Sequence, residues 1–173
     1  MIFRVLIPAI LLTGMFSCGQ APEKTGSGNL PGKKEMAELN RYLIQKDRER
    51  IESYIERRDL KMNESPSGLW YQLKAEGEGD FLSDNDRIRM EYNCSLIDGR
   101  LCYSSDEDGI EEIVLGRTDI PAGLAQGLKM LKNGGEAILI MPPHLAFGLK
   151  GDGKRIPARS VIVYEIKVER MNK

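Results

Sequence analysis

The chain is poor in the residues most often used for covalent or metal chemistry. Among 173 residues there are one histidine, one tryptophan and three cysteines. A single histidine excludes a multi-histidine metal site, and any Ser-His-Asp arrangement would have to run through His144. That residue lies in PPHLAFG, just past a strand, where a solvent-facing loop histidine is the simpler reading. Zinc on Cys94 and Cys102 would need two more ligands of matching spacing, and the chain offers none. No histidine-based or cysteine-based metal site is therefore expected. An excess of positive charge is missing too: 25 Lys and Arg stand against 26 Asp and Glu, a net charge of −1. That balance speaks against nucleic acid as a partner and against a basic membrane-binding face. Beyond the N-terminus no apolar run is long enough to span a bilayer.

What is present begins with Arg4 and the nearly unbroken apolar run Val5 to Phe16. The run is too short for a membrane-spanning helix and fits the apolar core of a secretory signal peptide. It ends at Ser17-Cys18-Gly19, a small residue before a cysteine, which resembles a bacterial lipobox; Met15 and Phe16 are looser than the usual pattern. Residues 1–17 are read as a lipoprotein signal peptide and Cys18 as the lipid-carrying residue. The protein would then be anchored to a membrane rather than spanning it. The alternative is an ordinary signal peptide with a chance cysteine. Residues 18–33, rich in Gly, Pro, Ser and Lys and without apolar period, read as a flexible tether.

Residues 34–60 contain no Gly or Pro and are full of Glu, Arg, Lys and Leu, which predicts a helix. Met36, Leu39, Leu43, Ile51, Tyr54 and Ile55 form a narrow apolar stripe, interrupted around Asp47 and Arg48. Pro66 and Gly68 break the pattern. From residue 66 to 172 the chain alternates as strands do. Leu69, Tyr71 and Leu73 share one face; Ile88, Met90 and Tyr92 share another, with Arg87, Arg89 and Glu91 opposite. Asp98-Gly99 is a hairpin signal. The segment SSDEDGIEE reads as a solvated loop, because it lacks the ligand spacing of a calcium loop. Leu124, Leu128 and Leu131 predict a short helix over 122–132. Ala137, Leu139 and Met141, then Ile162, Tyr164, Ile166 and Val168, line two further strand faces. The expected class is α+β, an antiparallel sheet wrapped around one short helix and preceded by a long N-terminal helix.

From Gly68 to Met171 the order SGLWYQL, MEYNCSLIDGRLCYSS, IVLG, GLAQGLKMLKNGGEAILIMPPHLAFG and IPARSVIVYEIKV resembles the FK506-binding-protein (FKBP) family of peptidyl-prolyl cis-trans isomerases. The lipobox and long helix before it look like gliding-motility-associated and related envelope members of that family. The short span from Phe147 to Ser160 leaves room only for a hairpin tip, so the inserted chaperone domain of some members is absent. The resemblance implies an aromatic pocket that isomerises X-Pro bonds without cofactor. Resonance sets the X-Pro barrier at about 18–20 kcal/mol, and a dry pocket favours the less dipolar twisted amide. By matching motif the pocket would use Tyr92, Phe147 and Tyr164 as catalytic walls, with Tyr103 refilling a missing wall by a one-residue shift. Ile120, Pro121, Leu124 and Ile156 would contact substrate.

Two positions depart from the family pattern. After the Asp-Gly turn the family usually carries Phe-Asp-Ser-Ser; here Cys102-Tyr103-Ser104-Ser105 stands instead. The family also uses a backbone N–H beside an isoleucine to bind the substrate carbonyl. By count that position is Pro121, which has no N–H; by residue type it is Ile120, which has one. These departures set the leading reading, an isomerase acting on proline-containing envelope clients, against a non-catalytic FKBP scaffold that binds a partner. The resemblance and the leader together place the protein on a bacterial envelope membrane, the outer membrane facing the periplasm.

Cys94 and Cys102 flank the Asp98-Gly99 turn. A three-residue loop would set them opposite each other and permit a disulfide, whereas a two-residue loop would offset them. Ile138, Ile140, Val161 and Val163 should point away from the domain's own helix, leaving an apolar outer patch. The stripe of helix 34–60 is expected to cover it, in the same molecule or across a homodimer.

Overall fold

The computed structural model describes residues 32–171. The leader, Cys18 and most of the tether lie outside the described residues. Helix α1 spans Lys33–Arg57. Glu35 starts it by accepting the Gly32 N–H at 2.9 Å. It stops short of residue 60 because Asp59 adopts a left-handed φ of 50° and the Leu60 N–H turns back to the Ile55 carbonyl.

The rest of the chain forms β1 (Asn63–Glu64), β2 (Trp70–Ala75), β3 (Arg87–Leu96), β4 (Leu101–Ser104), α2 (Ser105–Asp108), β5 (Glu111–Val114), α3 (Ala122–Leu128), β6 (Glu136–Met141) and β7 (Ile162–Arg170). The sheet runs β1-β2-β6-β7-β3-β4, with β5 also paired to β3. Every pairing is antiparallel. The fold is thus the α+β class that the alternation predicts. The acidic segment is more ordered than expected. Ser104 caps α2 by accepting the Glu107 N–H at 3.3 Å, and β5 begins already at Glu111.

The inner face of the sheet closes on α3. Leu124 and Leu128 are buried with Ile88, Met90, Leu139, Met141, Ile162 and Val168. Close approach depends on Gly127, where an added Cβ would sit 2.3 Å from Leu139 Cδ1. Helix α3 ends at Leu128 rather than Lys132, its tail continuing as turns that bond back to Gly127 and Leu128 carbonyls.

The outer face is divided. Ile97, Ile138, Ile140, Val161 and Val163 are buried beneath Ile51 and Tyr54 of α1, with Ile55, Leu60, Met62 and Trp70 at the margin. The stripe therefore covers the apolar patch within one chain. Each such side chain contributes roughly 1.5–3 kcal/mol on burial, enough to hold a helix marginal alone. The stripe is covered only in its C-terminal half. Met36 and Leu39 remain 43% and 47% exposed. Where α1 does not reach, the outer face turns polar, and Lys74–Glu165 and Lys167–Glu136 pair at 3.6 and 4.0 Å. Asp47, at the break in the stripe, is buried and accepts from Arg159 Nη2 at 2.9 Å. Arg159 in turn donates its N–H to the Gly148 carbonyl.

Candidate functional site

The site forms where the inner face runs out from under α3. Alternation puts Tyr92 on β3 and Tyr164 on β7 toward the inside. The register pairs Tyr92 with Ile166 and Cys94 with Tyr164, so the two tyrosines lie diagonally and their rings stand 6.0 Å apart. Tyr164, Leu124 and Ile156 are almost completely buried in the inner core. Tyr92, Tyr103, Ile120 and Phe147 are half-buried and pack against that same cluster. Seven of the eight predicted pocket residues thus belong to the one core cluster of the inner face, Leu124 among its fully buried members. The eighth, Pro121, is the residue that enters α3. It offers no N–H, while the Ile120 N–H donates to no backbone acceptor among the described residues. If a substrate carbonyl is held here by backbone, Ile120 is the donor in position.

Local chemistry explains the Ser-Ser pair. Ser104 caps α2, and Ser105 Oγ accepts the Tyr92 N–H at 3.2 Å, fixing the strand that carries the pocket tyrosine. Burial pushes the Tyr164 hydroxyl well up, and burial followed by the charges of Glu111 and Asp108 pushes Tyr92 up. Both tyrosines therefore stay neutral, as walls rather than acids or bases.

The carboxylate lost at position 103 is supplied from the opposite loop. Tyr103 donates its hydroxyl to Asp152 Oδ2, whose other oxygen accepts the N–H groups of Lys154 and Ile156 at 2.8 Å each. Burial alone would raise the Asp152 pKa; these donors outweigh it and hold the carboxyl below its ordinary range. Arg155 lies 4.7 Å over the Tyr103 ring and donates to the Cys102 carbonyl and to Asp108. The Gly-rich tip that holds Ile156 is thereby tied to β4 and α2. Asp152 and Arg155 escaped the sequence reading. The Asp-Gly pair in KGDGKR was a legible turn signal, with a carboxylate poised to bind N–H groups two and four residues on.

The thiols do not bridge. Cys94 and Cys102 are free and buried. Ser95 pairs with Leu101 but Cys94 pairs with Tyr103, so Cys102 occupies a bulge rather than the position opposite Cys94. Burial pushes the Cys94 thiol up to about 12, leaving it a packing group. His144 is exposed and its Nε2 bonds the Ser67 carbonyl at 3.1 Å, outside the pocket cluster. Among the described residues no group of three or more His, Cys, Asp or Glu is placed to hold a metal ion.

Comparison with known proteins agrees with this geometry. The family model described as FKBP-type peptidyl-prolyl cis-trans isomerase matches residues 79–169. The protein FkpA of Escherichia coli K12, an FKBP-type peptidyl-prolyl cis-trans isomerase, is 32% identical over 123 residues, 71% of this chain and 44% of the relative. The FkpA of Buchnera aphidicola from Acyrthosiphon pisum is 35% identical over 107 residues, 62% of this chain and 44% of the relative. The chain thus aligns with less than half the length of these curated relatives. The crystal structure of E. coli FkpA superposes with a TM-score of 0.63 at 28% identity, covering 78% of this chain and 63% of that one. Family model, relatives and fold converge on the same segment that builds the pocket, and the chain belongs to the FKBP-type peptidyl-prolyl cis-trans isomerase family.

Proposed function

We propose that the chain catalyses cis-trans isomerisation of X-Pro bonds in polypeptide clients of a bacterial envelope. The observation that carries this is the diagonal pair Tyr92 and Tyr164 on the inner face, with Tyr103, Phe147, Ile156 and Leu124 in the same core cluster. Such walls desolvate the amide and favour its twisted form, and each ~1.4 kcal/mol of preference for that form speeds rotation tenfold. No proton transfer is required, which suits tyrosines held neutral by burial. The Ile120 N–H is the group assigned to the substrate carbonyl.

The test is an isomerase assay on full-length protein, by peptide exchange NMR or by proline-limited refolding of a model client. Tyr164→Ala and Phe147→Ala are each expected to lower kcat/KM by roughly tenfold or more, the scale of about 1.4 kcal/mol in the transition state. Full activity in both variants would overturn the site assignment. The replacement of Phe-Asp by Cys102-Tyr103 favours a second reading, a scaffold that binds proline segments without turnover; peptide binding with no rate enhancement would establish it.

The same proposal places the protein on the envelope membrane through lipid on Cys18, supported by the apolar run ending at Ser17-Cys18. Cys18→Ser is expected to release the protein from membranes or leave the leader uncleaved, read by fractionation and mass spectrometry. Unchanged partitioning and mass would refute the anchor. The exposed Met36 and Leu39 on the uncovered half of α1 support pairing of two copies there. A solution mass that stays monomeric at high concentration would refute it.

A further inference from the structure

One carboxylate stands on the wrong side of the sheet. Glu111 opens β5 and pairs with Met90, while Ile113 pairs with Ile88. Ile88, Met90 and Ile113 are all buried in the inner core, so the two-residue period puts Glu111 on that same inner face. It is the position next to Met90 on one side and diagonal to Tyr92 on the other, at the edge where the core opens into the pocket. The side chain is half-buried, whereas its neighbour Glu112 points outward into solvent.

Nothing in the chain answers this charge. Among the described residues no cation lies within ion-pair distance of Glu111 and no donor bonds its carboxylate; burial alone acts on it, and raises its pKa. The guanidinium of Arg155 is committed elsewhere. Arg155 donates to Asp108 and to the Cys102 carbonyl while stacked on Tyr103. Arg87 and Arg89 sit on the exposed, opposite face of β3. The carboxylate nevertheless reaches the pocket electrostatically, since its charge acts on both the Tyr92 and Tyr164 hydroxyls. An unpaired, partly desolvated charge costs stability and is relieved by a ligand that brings the opposite sign. Asp108, itself paired, and the exposed Asp106, Glu107 and Glu112 add the same sign around it.

We propose that Glu111 is a specificity-determining residue of the pocket, selecting X-Pro segments that carry a lysine or arginine side chain next to the proline. This rests on the reading of the pocket as an X-Pro site. A cation on the residue preceding the proline would meet Glu111 while the proline ring lies over Leu124. A carboxylate at the same place would be repelled in a setting where water screens poorly.

The experiment uses the full-length chain and three peptides alike except for Lys, Leu or Glu before the proline. Binding is followed by NMR titration and isomerisation by exchange spectroscopy. In the parent protein the Lys peptide is expected to bind about tenfold more tightly than the Glu peptide and to show about tenfold higher kcat/KM, the scale of one charge-assisted contact. Glu111→Gln should collapse that ratio to within roughly twofold, and Glu111→Lys should invert it. Glu111→Gln should also melt no lower than the parent at neutral pH, because it removes an unpaired charge. A ratio near one in the parent, or one that survives Glu111→Gln, overturns the proposal. So does a variant that loses all peptides equally together with its fold. If the Lys preference appears in binding but no peptide turns over faster, the isomerase reading fails and the selectivity stands. If no peptide binds or turns over, both fail.

Discussion

The two faces of the sheet are both apolar, yet they are closed in different ways. The outer face is sealed by a separate helix, and only as far as that helix reaches: Ile138, Ile140, Val161 and Val163 are covered by Ile51 and Tyr54, while Glu136, Glu165 and Lys167 on the same face pair with lysines and glutamates in solvent. The inner face is sealed by α3 and then by loops, and stays open where Tyr92, Phe147 and Ile120 remain half-buried. A helix that simply covers gives stability. Loops that cover incompletely give a pocket, which has to be braced by hydrogen bonds because it lacks the packing.

The comparison breaks most visibly if the helix is not a structural cover. Ile51→Ala should destabilise by about 2–4 kcal/mol, as for a fully buried large-to-small change, and deletion of residues 34–60 should lower the melting temperature by more. At concentrations where the chain is monomeric, Leu39→Ala, in the uncovered half, should stay within about 0.5 kcal/mol. Equal losses at Ile51 and Leu39 would mean that the exposed half is packed against something in solution.

On the inner face, Gly127→Ala should cost roughly 1–3 kcal/mol, because the new methyl group collides with the Leu139 side chain and α3 must lift from β6. Thermal unfolding measures it. A neutral outcome would show that α3 floats rather than docks.

How much of this was legible follows from what each face is made of. The outer face could be read from the sequence because it violates an expectation. Ile138, Ile140, Val161 and Val163 fall where polar residues belong, so a cover had to exist, and the unpaired stripe of residues 34–60 was the available one. The inner core was legible for the same reason, by period. The bracing was not. Asp152 meets Tyr103 across 49 positions and Arg159 meets Asp47 across 112, and no local pattern encodes such pairs. The helix ends were less legible, because local capping turns rather than composition stop α1 at Arg57 and α3 at Leu128. Glu111 was grouped with an acidic loop, although its spacing of two from Ile113 already put it on the core face.

The Asp47–Arg159 pair joins the two faces. It pins α1 to the segment that follows Ile156, and through the Arg159 N–H to Gly148 beside Phe147. Asp47→Asn should cost about 1–2 kcal/mol, the pair being only partly desolvated. If the tie positions the pocket, it should also raise KM for proline peptides more than it lowers kcat. A loss of stability with KM unmoved would confine the pair to the outer face.

A smaller effect than that of Asp47→Asn is expected at the pocket brace. Tyr103→Phe keeps the ring under Arg155 and removes only the hydroxyl donated to Asp152, so it should cost about 1 kcal/mol. Its sign with pH is the sharper readout. Asp152 is held below its unfolded pKa, so its contribution to stability is complete above the unfolded value and disappears as pH falls through the folded one. Removing the Tyr103 donor brings the two values closer, and the acid-side loss of stability should shrink accordingly. At neutral pH the variant is therefore slightly less stable than the parent, and the two unfolding curves should converge in acid, where Asp152 is protonated in both. Denaturant titrations across that range decide it. Parallel curves at all pH values would mean that the brace is held by Lys154 and Ile156 N–H groups and Arg155 stacking alone. The lost carboxylate at position 103 would then have been replaced in place but not in function.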